Sequence, residues 1–184
     1  MSKTESTMLP LGTQTPHFNL TDVVSGTRIS FPTAQKHTAT LIMFICNHCP
    51  YVKHVNAELT RLANDYQPKD VYILAINSND VVNYPDDSPE KMKLLAASEQ
   101  FPFPYLFDET QEVAKAYKAA CTPDFFLFDS RNKLVYRGQL DDSRPGNSIP
   151  VTGGSLRAAL DCLLDNKVLD MAQKPSLGCN IKWK

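Results

Sequence analysis

Two cysteines separated by two residues, Cys46 and Cys49, are the side chains of this sequence best suited to chemistry. They follow the predicted strand over 40–45 and precede a helical pattern, which predicts a position at a helix N-terminus. Unpaired backbone N–H groups and the helix dipole favour a thiolate there, and the thiolate is the reactive form of cysteine. We therefore expect Cys46, at the exposed end of the strand, to attack, and the more buried Cys49 to resolve.

The residues between and after the two cysteines are candidates for tuning the pair. A cationic His48 would stabilise the Cys46 thiolate and make the pair a better oxidant, whereas the alternative is a His48 side chain that points to solvent. Asn47 and Pro50 complete the motif and are grouped with His48 as tuning residues.

Composition limits what kind of protein can carry this motif. The chain has 184 residues, 42% of them hydrophobic, and a formal net charge of −1. This length favours a single domain over 1–184, with an N-terminal arm over 1–16 and an irregular tail over 167–184. Near-zero charge argues against nucleic-acid binding, because neutralising phosphates requires a basic face.

The cellular compartment is predicted from the absence of targeting patterns. The polar start Met1–Thr7 does not resemble a signal peptide, and the apolar run over 41–46 is too short to span a membrane. We expect a cytoplasmic protein without membrane contact. In that reducing compartment, a cysteine pair is more often catalytic or metal-binding than structural.

The elements that must position the cysteines alternate between strand and helix patterns. This order predicts an α/β fold with a mixed β-sheet flanked by helices on both faces. Predicted strands cover 17–20, 27–31, 40–45, 71–76, 105–107, 125–129 and 134–138. Helices are predicted over 52–66, over 110–120 and from Thr152 to residue 164. A further helix is predicted to begin with a capping box at 87–90.

The motif and its surroundings resemble the thioredoxin superfamily over roughly Pro16–Asn166. The greatest similarity is to a peroxiredoxin-like or redoxin (AhpC/TSA-type) branch that carries a CxxC motif. The resemblance rests on the strings CNHCPYVKH, INSND, YPDDSPE, CTPDFFLFD, YRGQLDDSRPGN and GCNIKWK.

The resemblance implies a three-layer thioredoxin-like fold and a thiol–disulfide oxidoreductase. It makes Cys46 the nucleophile and Cys49 the resolving cysteine, and it makes Pro123 a cis-proline. Thr122 would present its backbone to an extended substrate segment, a form of strand addition. The reaction would need no cofactor beyond the redox-active disulfide. Its partners would be a protein or small-molecule disulfide and a separate reductase or thiol as electron donor.

The sequence departs from both related groups at particular positions. Thr40 stands where thioredoxin has a buried acid, and Ile45 replaces its tryptophan. Peroxiredoxins carry Pro-x-x-x-Thr-x-x-Cys, but Ala39 and Met43 occupy the proline and threonine positions before Cys46. A thiol-dependent peroxidase is therefore the alternative to the disulfide oxidoreductase rather than the first choice.

The remaining three cysteines have more than one interpretation. Cys121 and Cys179 are possible accessory thiols. The alternative for Cys121 is a buried packing residue. The alternative for Cys179 is a place in a C-terminal tail that Trp183 holds over the core. Cys162 is predicted to pack on the leucine face of the last helix. A further alternative is a zinc site or a non-catalytic redox sensor, with His54, Cys121 or Cys179 completing the zinc ligands of Cys46 and Cys49.

Four aspartates form two pairs in turn-rich segments. Such pairs could bind a metal or transfer protons, but they usually face solvent or cap a turn. We expect this second role for Asp86, Asp87, Asp141 and Asp142.

Overall fold

The computed structural model describes residues 3–184, so that Met1 and Ser2 of the predicted arm lie outside the described residues. The helices are α1 (Pro50–Tyr66), α2 (Pro89–Ser98), α3 (Glu112–Ala116) and α4 (Gly154–Leu164). The strands are β1 (Lys3–Glu5), β2 (Phe18–Asp22), β3 (Arg28–Phe31), β4 (Ala39–Phe44), β5 (Val71–Asn77), β6 (Tyr105–Phe107), β7 (Cys121–Thr122), β8 (Asp124–Asp129), β9 (Leu134–Gly138) and β10 (Leu177–Asn180).

Seven strands form one mixed sheet in the order β3-β2-β6-β5-β4-β8-β9. Strands β4, β5 and β6 run parallel, and the remaining pairings are antiparallel. A second sheet has three strands, in the order β1-β10-β7. The α/β fold class predicted from the sequence, with a central mixed sheet and flanking helices, is confirmed.

Strand β4 shows why helices cover both faces of the large sheet. Leu41 and Met43 are buried in a core shared with α1, α2 and α4, whereas Ile42 and Phe44 are buried in the core that contains α3. Successive side chains of a strand point to opposite faces, so a continuous apolar run requires cover on both sides. None of the helices in residues 3–184 combines the length and apolarity needed to cross a membrane.

Helix α1 follows the redox motif directly. Val52, Leu59 and Leu62 lie on its buried face, in agreement with the predicted periodicity. Cys49 is the N-cap residue and Pro50 is the first helical residue, a position that suits proline because its missing N–H is not needed there.

The other helices begin or end differently from the sequence-based expectation. The N-cap of α2 is Ser88, whose hydroxyl accepts from the Lys91 N–H. The N-cap of α4 is Gly153 rather than Thr152, because a left-handed φ of 68° precedes the helix. The helix predicted over 110–120 is confined to α3, because Gln111 and Lys118 on either side of it have positive, left-handed φ angles.

The prediction of an irregular tail over 167–184 is wrong at Leu177–Asn180, which forms β10. This strand pairs antiparallel with β1 on one side and with β7 on the other. Its two partners contain only three and two residues and come from distant parts of the chain. Strands this short have no alternation of polar and apolar residues that sequence analysis could detect.

We expect Leu59→Ala to lower the free energy of unfolding by about 2–5 kcal/mol, because it leaves a cavity where α1 packs on the sheet. Leu59 is completely buried, whereas Leu94 on α2 is 64% exposed and provides a matched control. Urea denaturation followed by circular dichroism measures both variants. Equal destabilisation by Leu59→Ala and Leu94→Ala would contradict this assignment of the core.

Candidate redox site

The two motif cysteines meet at one residue of β7. Cys46 follows the end of β4, and its Sγ lies 3.2 Å from the Thr122 Oγ1. The Cys49 Sγ lies 3.2 Å from the Thr122 carbonyl oxygen. Cys46 and Cys49 are thiols in this structure, not a disulfide, and both are 0% exposed. The expectation of an exposed Cys46 is therefore wrong for this conformation, in which other segments cover the site.

The residue after Thr122 has the backbone geometry that the resemblance implies. The Thr122–Pro123 peptide bond is cis. Strand β10 pairs with β7 next to this bond, with Cys179 opposite Thr122. The extended segment that lies along Thr122 is thus the protein's own C-terminal strand.

The accessory cysteines differ in their distance from the pair. Cys179 is buried, and its Sγ lies 2.8 Å from the Cys49 Sγ. Cys121 is buried with its thiol directed at the carbonyl oxygens of Pro123 and Ser176, and burial raises its pKa. Cys121 therefore fits the packing role. Cys162 is half-buried on α4.

Trp183 does not hold the tail over the core. Its side chain is 43% exposed and its ring lies 5.9 Å from the Lys115 ammonium. The tail is fixed by backbone pairing instead.

The negative charge of the dithiol is concentrated on Cys49. Hydrogen bonding from Cys46 lowers the pKa of Cys49 to about 5, assisted by Cys179 and by the Val52 N–H and opposed by burial. The pKa of Cys46 is raised well above its usual value by the hydrogen bond with Cys49, by burial and by the negative charge of Asp87. The sequence-based expectation is a thiolate on Cys46, whereas these pKa shifts favour a thiolate on Cys49. Cys49 is the N-cap residue and therefore lies nearest the unpaired N–H groups of the helix.

Asp87 is the site residue that sequence reasoning missed. Its side chain is completely buried, and it accepts hydrogen bonds from the Asn47 N–H (2.7 Å), the His48 N–H (3.2 Å) and the Asn79 amide (2.8 Å). Burial alone would raise the pKa of Asp87, but hydrogen bonds from His48 and Asn79 lower it. The expectation of a solvated or capping aspartate is therefore wrong for Asp87.

His48 is oriented by Asp87 rather than by the thiols. Its Nδ1 lies 2.5 Å from the Asp87 Oδ2, and its ring stacks on Tyr84 with centroids 5.5 Å apart. Its Nε2 is buried and has no hydrogen-bond partner within residues 3–184. The carboxylate accounts for the position of the ring, and the tuning of Cys46 by His48 stays a prediction.

Asn47 connects the motif to two other segments. Its side-chain amide donates to the Asp86 carbonyl at 2.9 Å, and its Oδ1 accepts from the Tyr105 hydroxyl at 3.1 Å. Tyr105 belongs to β6 and is completely buried. Asn47 therefore fixes the loop between β4 and α1.

Residues 11–137 match the family model of the AhpC/TSA family. The chain belongs to the AhpC/TSA family. Family membership and the adjacent thiols together support a thiol redox function. A comparison with curated proteins gives no match.

Two solved structures resemble this AhpC/TSA family protein over nearly all of its length, and a third resembles it over about three quarters. An uncharacterized conserved protein from Geobacillus kaustophilus is 62% identical, with a TM-score of 0.98, 100% of this chain and 97% of that chain covered. A hypothetical protein from Sinorhizobium meliloti is 44% identical, with a TM-score of 0.95 and 98% of each chain covered. The thioredoxin domain of a thiol-disulfide oxidoreductase from Bacteroides vulgatus is 18% identical, with a TM-score of 0.60, 74% of this chain and 90% of that chain covered, and shows the shared fold.

The other aspartates of this AhpC/TSA family protein match the sequence-based expectation. Asp86 and Asp142 are exposed. Asp141 is buried, and it accepts from the backbone N–H groups of Ser143, Thr152 and Gly153, which fixes the turn before α4.

The potential metal ligands of the site differ from those considered from sequence. Within residues 3–184, side-chain atoms of Cys46, His48 and Asp87 lie within 4.8 Å of one another. His54, a ligand in the zinc hypothesis, bonds through Nε2 to the Ser143 hydroxyl at 2.7 Å. The structure therefore gives no support to His54 as a partner of the cysteine pair.

We expect the reduced protein to show a thiolate absorbance step at 240 nm with a midpoint near pH 5, the lowered pKa of Cys49. Cys49→Ser should remove the step, and Cys46→Ala should move it to higher pH, because the main donor to the thiolate is lost. Cys162→Ser is the control and should leave the midpoint unchanged. A reduced protein without a step below pH 7 would disprove this charge distribution.

Proposed function

We propose that this protein is a thiol–disulfide oxidoreductase whose Cys46–Cys49 pair alternates between dithiol and disulfide. The observation that carries the proposal is the contact of both sulfurs with Thr122, directly before the cis bond to Pro123. Electrons would come from a separate reductase or a small thiol. The substrates would be disulfides of proteins or small molecules.

In the first step, the Cys49 thiolate takes the proton of Cys46. The Cys46 thiolate then attacks one sulfur of the substrate disulfide, and the second substrate sulfur leaves as a thiolate. The hydrogen bond from Cys46 lowers the pKa of Cys49 and raises that of Cys46, so the proton rests on Cys46 and moves to Cys49 only as the attack proceeds. Asp87 opposes a lasting charge on Cys46, so that the thiolate forms at the moment of attack.

In the second step, Cys49 gives up its proton to the departed thiolate or to solvent. Its thiolate attacks the Cys46 Sγ of the mixed disulfide, which releases the second half of the substrate as a thiolate that takes a proton from solvent and leaves Cys46 and Cys49 oxidised. The electron donor then reduces this disulfide. Stabilising the Cys49 thiolate favours the dithiol form, and this raises the reduction potential of the pair.

Access to Cys46 requires movement of the segments that cover it. Strand β10 lies on the edge of β7 at which an extended substrate would pair, and its ladder with β7 involves only two residue pairs. A substrate that displaces this short ladder would gain the same backbone hydrogen bonds.

Membership of the AhpC/TSA family favours a second candidate, a thiol-dependent peroxidase. Met43 and Ala39 are both buried apolar residues of β4, where the peroxidase pattern has threonine and proline. The raised pKa of Cys46 also disfavours a resting thiolate on the sulfur that would meet peroxide.

We expect Cys46→Ser and Cys49→Ser each to abolish multiple-turnover reduction of a protein disulfide such as insulin with dithiothreitol as electron donor. Cys49→Ser should accumulate a mixed disulfide at Cys46, visible by mass spectrometry, because the resolving thiol is gone. Cys162→Ser is the matched control and should retain wild-type turnover.

Two outcomes would reject this function. Full disulfide reduction by Cys46→Ser would rule out the assigned nucleophile. Faster consumption of a hydroperoxide than of the protein disulfide by the wild type, under the same donor, would establish the peroxidase instead.

A further inference from the structure

The third sulfur at the site is positioned by backbone contacts. Cys179 pairs with Thr122 across the β7–β10 ladder. The backbones approach so closely that a Cβ on Gly178 would lie 2.0 Å from the Thr122 carbonyl oxygen, so only glycine fits there. The Cys49 and Cys179 sulfurs are 2.8 Å apart, against about 2.05 Å in a disulfide bond.

The segment after Cys179 is anchored on the side of the site away from β1. The Ile181 N–H donates to the Ala120 carbonyl at 3.1 Å. The Lys182 N–H donates to the Asn79 Oδ1, and the Lys182 carbonyl accepts from the Asp80 N–H, both at 2.8 Å. While β10 is paired with β7, Cys179 is therefore held next to Cys49.

We propose that Cys179 is a third redox-active cysteine that exchanges with Cys49, a proposal that rests on the redox pair proposed above. The deprotonated Cys179 sulfur attacks the Cys49 Sγ of the Cys46–Cys49 disulfide. A Cys49–Cys179 bond forms, the Cys46–Cys49 bond breaks, and Cys46 leaves as a thiolate that takes up the proton lost by Cys179. The number of disulfides is unchanged, so no further oxidant or reductant is needed.

The charges around the site change in favour of this exchange once the pair is oxidised. In the dithiol state, burial and the neighbouring Cys49 raise the pKa of Cys179 to about 12. Cys49 carries no charge in a disulfide, so its contribution is lost and Lys182 still lowers the pKa of Cys179. Burial and the negative charge of Asp87 still raise the pKa of the released Cys46, which disfavours the reverse attack.

The exchange would separate attack on the substrate disulfide, by Cys46, from reduction by the electron donor, at Cys49 and Cys179. Cys46 becomes a thiol again, while the oxidising equivalents are stored between Cys49 and Cys179. The electron donor would then reduce a disulfide that ties β10 to the start of α1.

The test maps the disulfides of the full-length wild type after oxidation with one equivalent of oxidised glutathione, acid quenching and alkylation in denaturant. Oxidation of the three thiols by one equivalent leaves one of them available for alkylation. We expect a population in which Cys46 is alkylated and Cys49 is linked to Cys179. If Cys179 is always the alkylated residue and Cys46 never is, the proposal is overturned.

Variants without Cys46 test the Cys49–Cys179 disulfide separately from the Cys46–Cys49 disulfide. Cys46→Ala should form Cys49–Cys179 as its main intramolecular disulfide, and adding Cys179→Ala should eliminate it, whereas adding Cys162→Ala should not. Formation of only a glutathione adduct at Cys49 in Cys46→Ala would overturn the proposal.

The same experiment distinguishes failure of this proposal from failure of the proposed function. Absence of a Cys46–Cys49 disulfide from both the wild type and Cys179→Ala would reject the redox pair itself. A Cys46–Cys49 disulfide that forms normally, without any Cys49–Cys179 population, would reject the third cysteine alone.

Gly178→Ala provides a variant that keeps every cysteine. The added Cβ would displace β10 from Thr122, so we expect slower formation of Cys49–Cys179 and unchanged formation of Cys46–Cys49. Gly154→Ala is the control, because the nearest atom to its added Cβ is 3.4 Å away. Equal rates of Cys49–Cys179 formation in both variants would contradict positioning by β10.

Discussion

The close backbone contact between Thr122 and Gly178 is the constraint on which the redox site depends. Thr122 contacts the Cys46 sulfur through its hydroxyl and the Cys49 sulfur through its carbonyl, and it pairs with Cys179 in the β7–β10 ladder. One residue thereby sets the position of three sulfurs. Any side chain at Gly178 would move the strand and separate the third sulfur from the other two.

The second determinant of the site is a buried charge. Asp87 is completely buried and contacts the loop between β4 and α1, which carries both cysteines of the motif. Its hydrogen bonds come from the motif backbone, from the His48 ring and from Asn79, so the desolvation of the carboxylate is compensated. The same charge opposes a thiolate on Cys46, and the helix N-terminus favours one on Cys49. The difference in pKa between Cys46 and Cys49 thus follows from the positions of the Asp87 carboxylate and of the N-terminus of α1 beside them.

Sequence reasoning succeeded where the determining interactions are local. The apolar run of β4, the periodicity of α1 and the position of the cysteine pair between them are set by neighbouring residues. The contacts of Asp87 and Cys179 could not be predicted, because they join residues 39 and 130 positions apart. The strands that bring Cys179 to the site are too short for a periodic pattern. Gly178 beside Cys179 was the one local signal of a close backbone approach.

Trp183 is the only tryptophan of the chain and lies just beyond β10. Its indole is partly exposed beside the Lys115 ammonium, and the following Lys184 N–H donates to Gln111 at 2.9 Å. Because tryptophan emission depends on the polarity and charge around the ring, the fluorescence of Trp183 should change when β10 separates from β7. The protein therefore contains an intrinsic optical probe for the proposed displacement of β10, and no label needs to be attached.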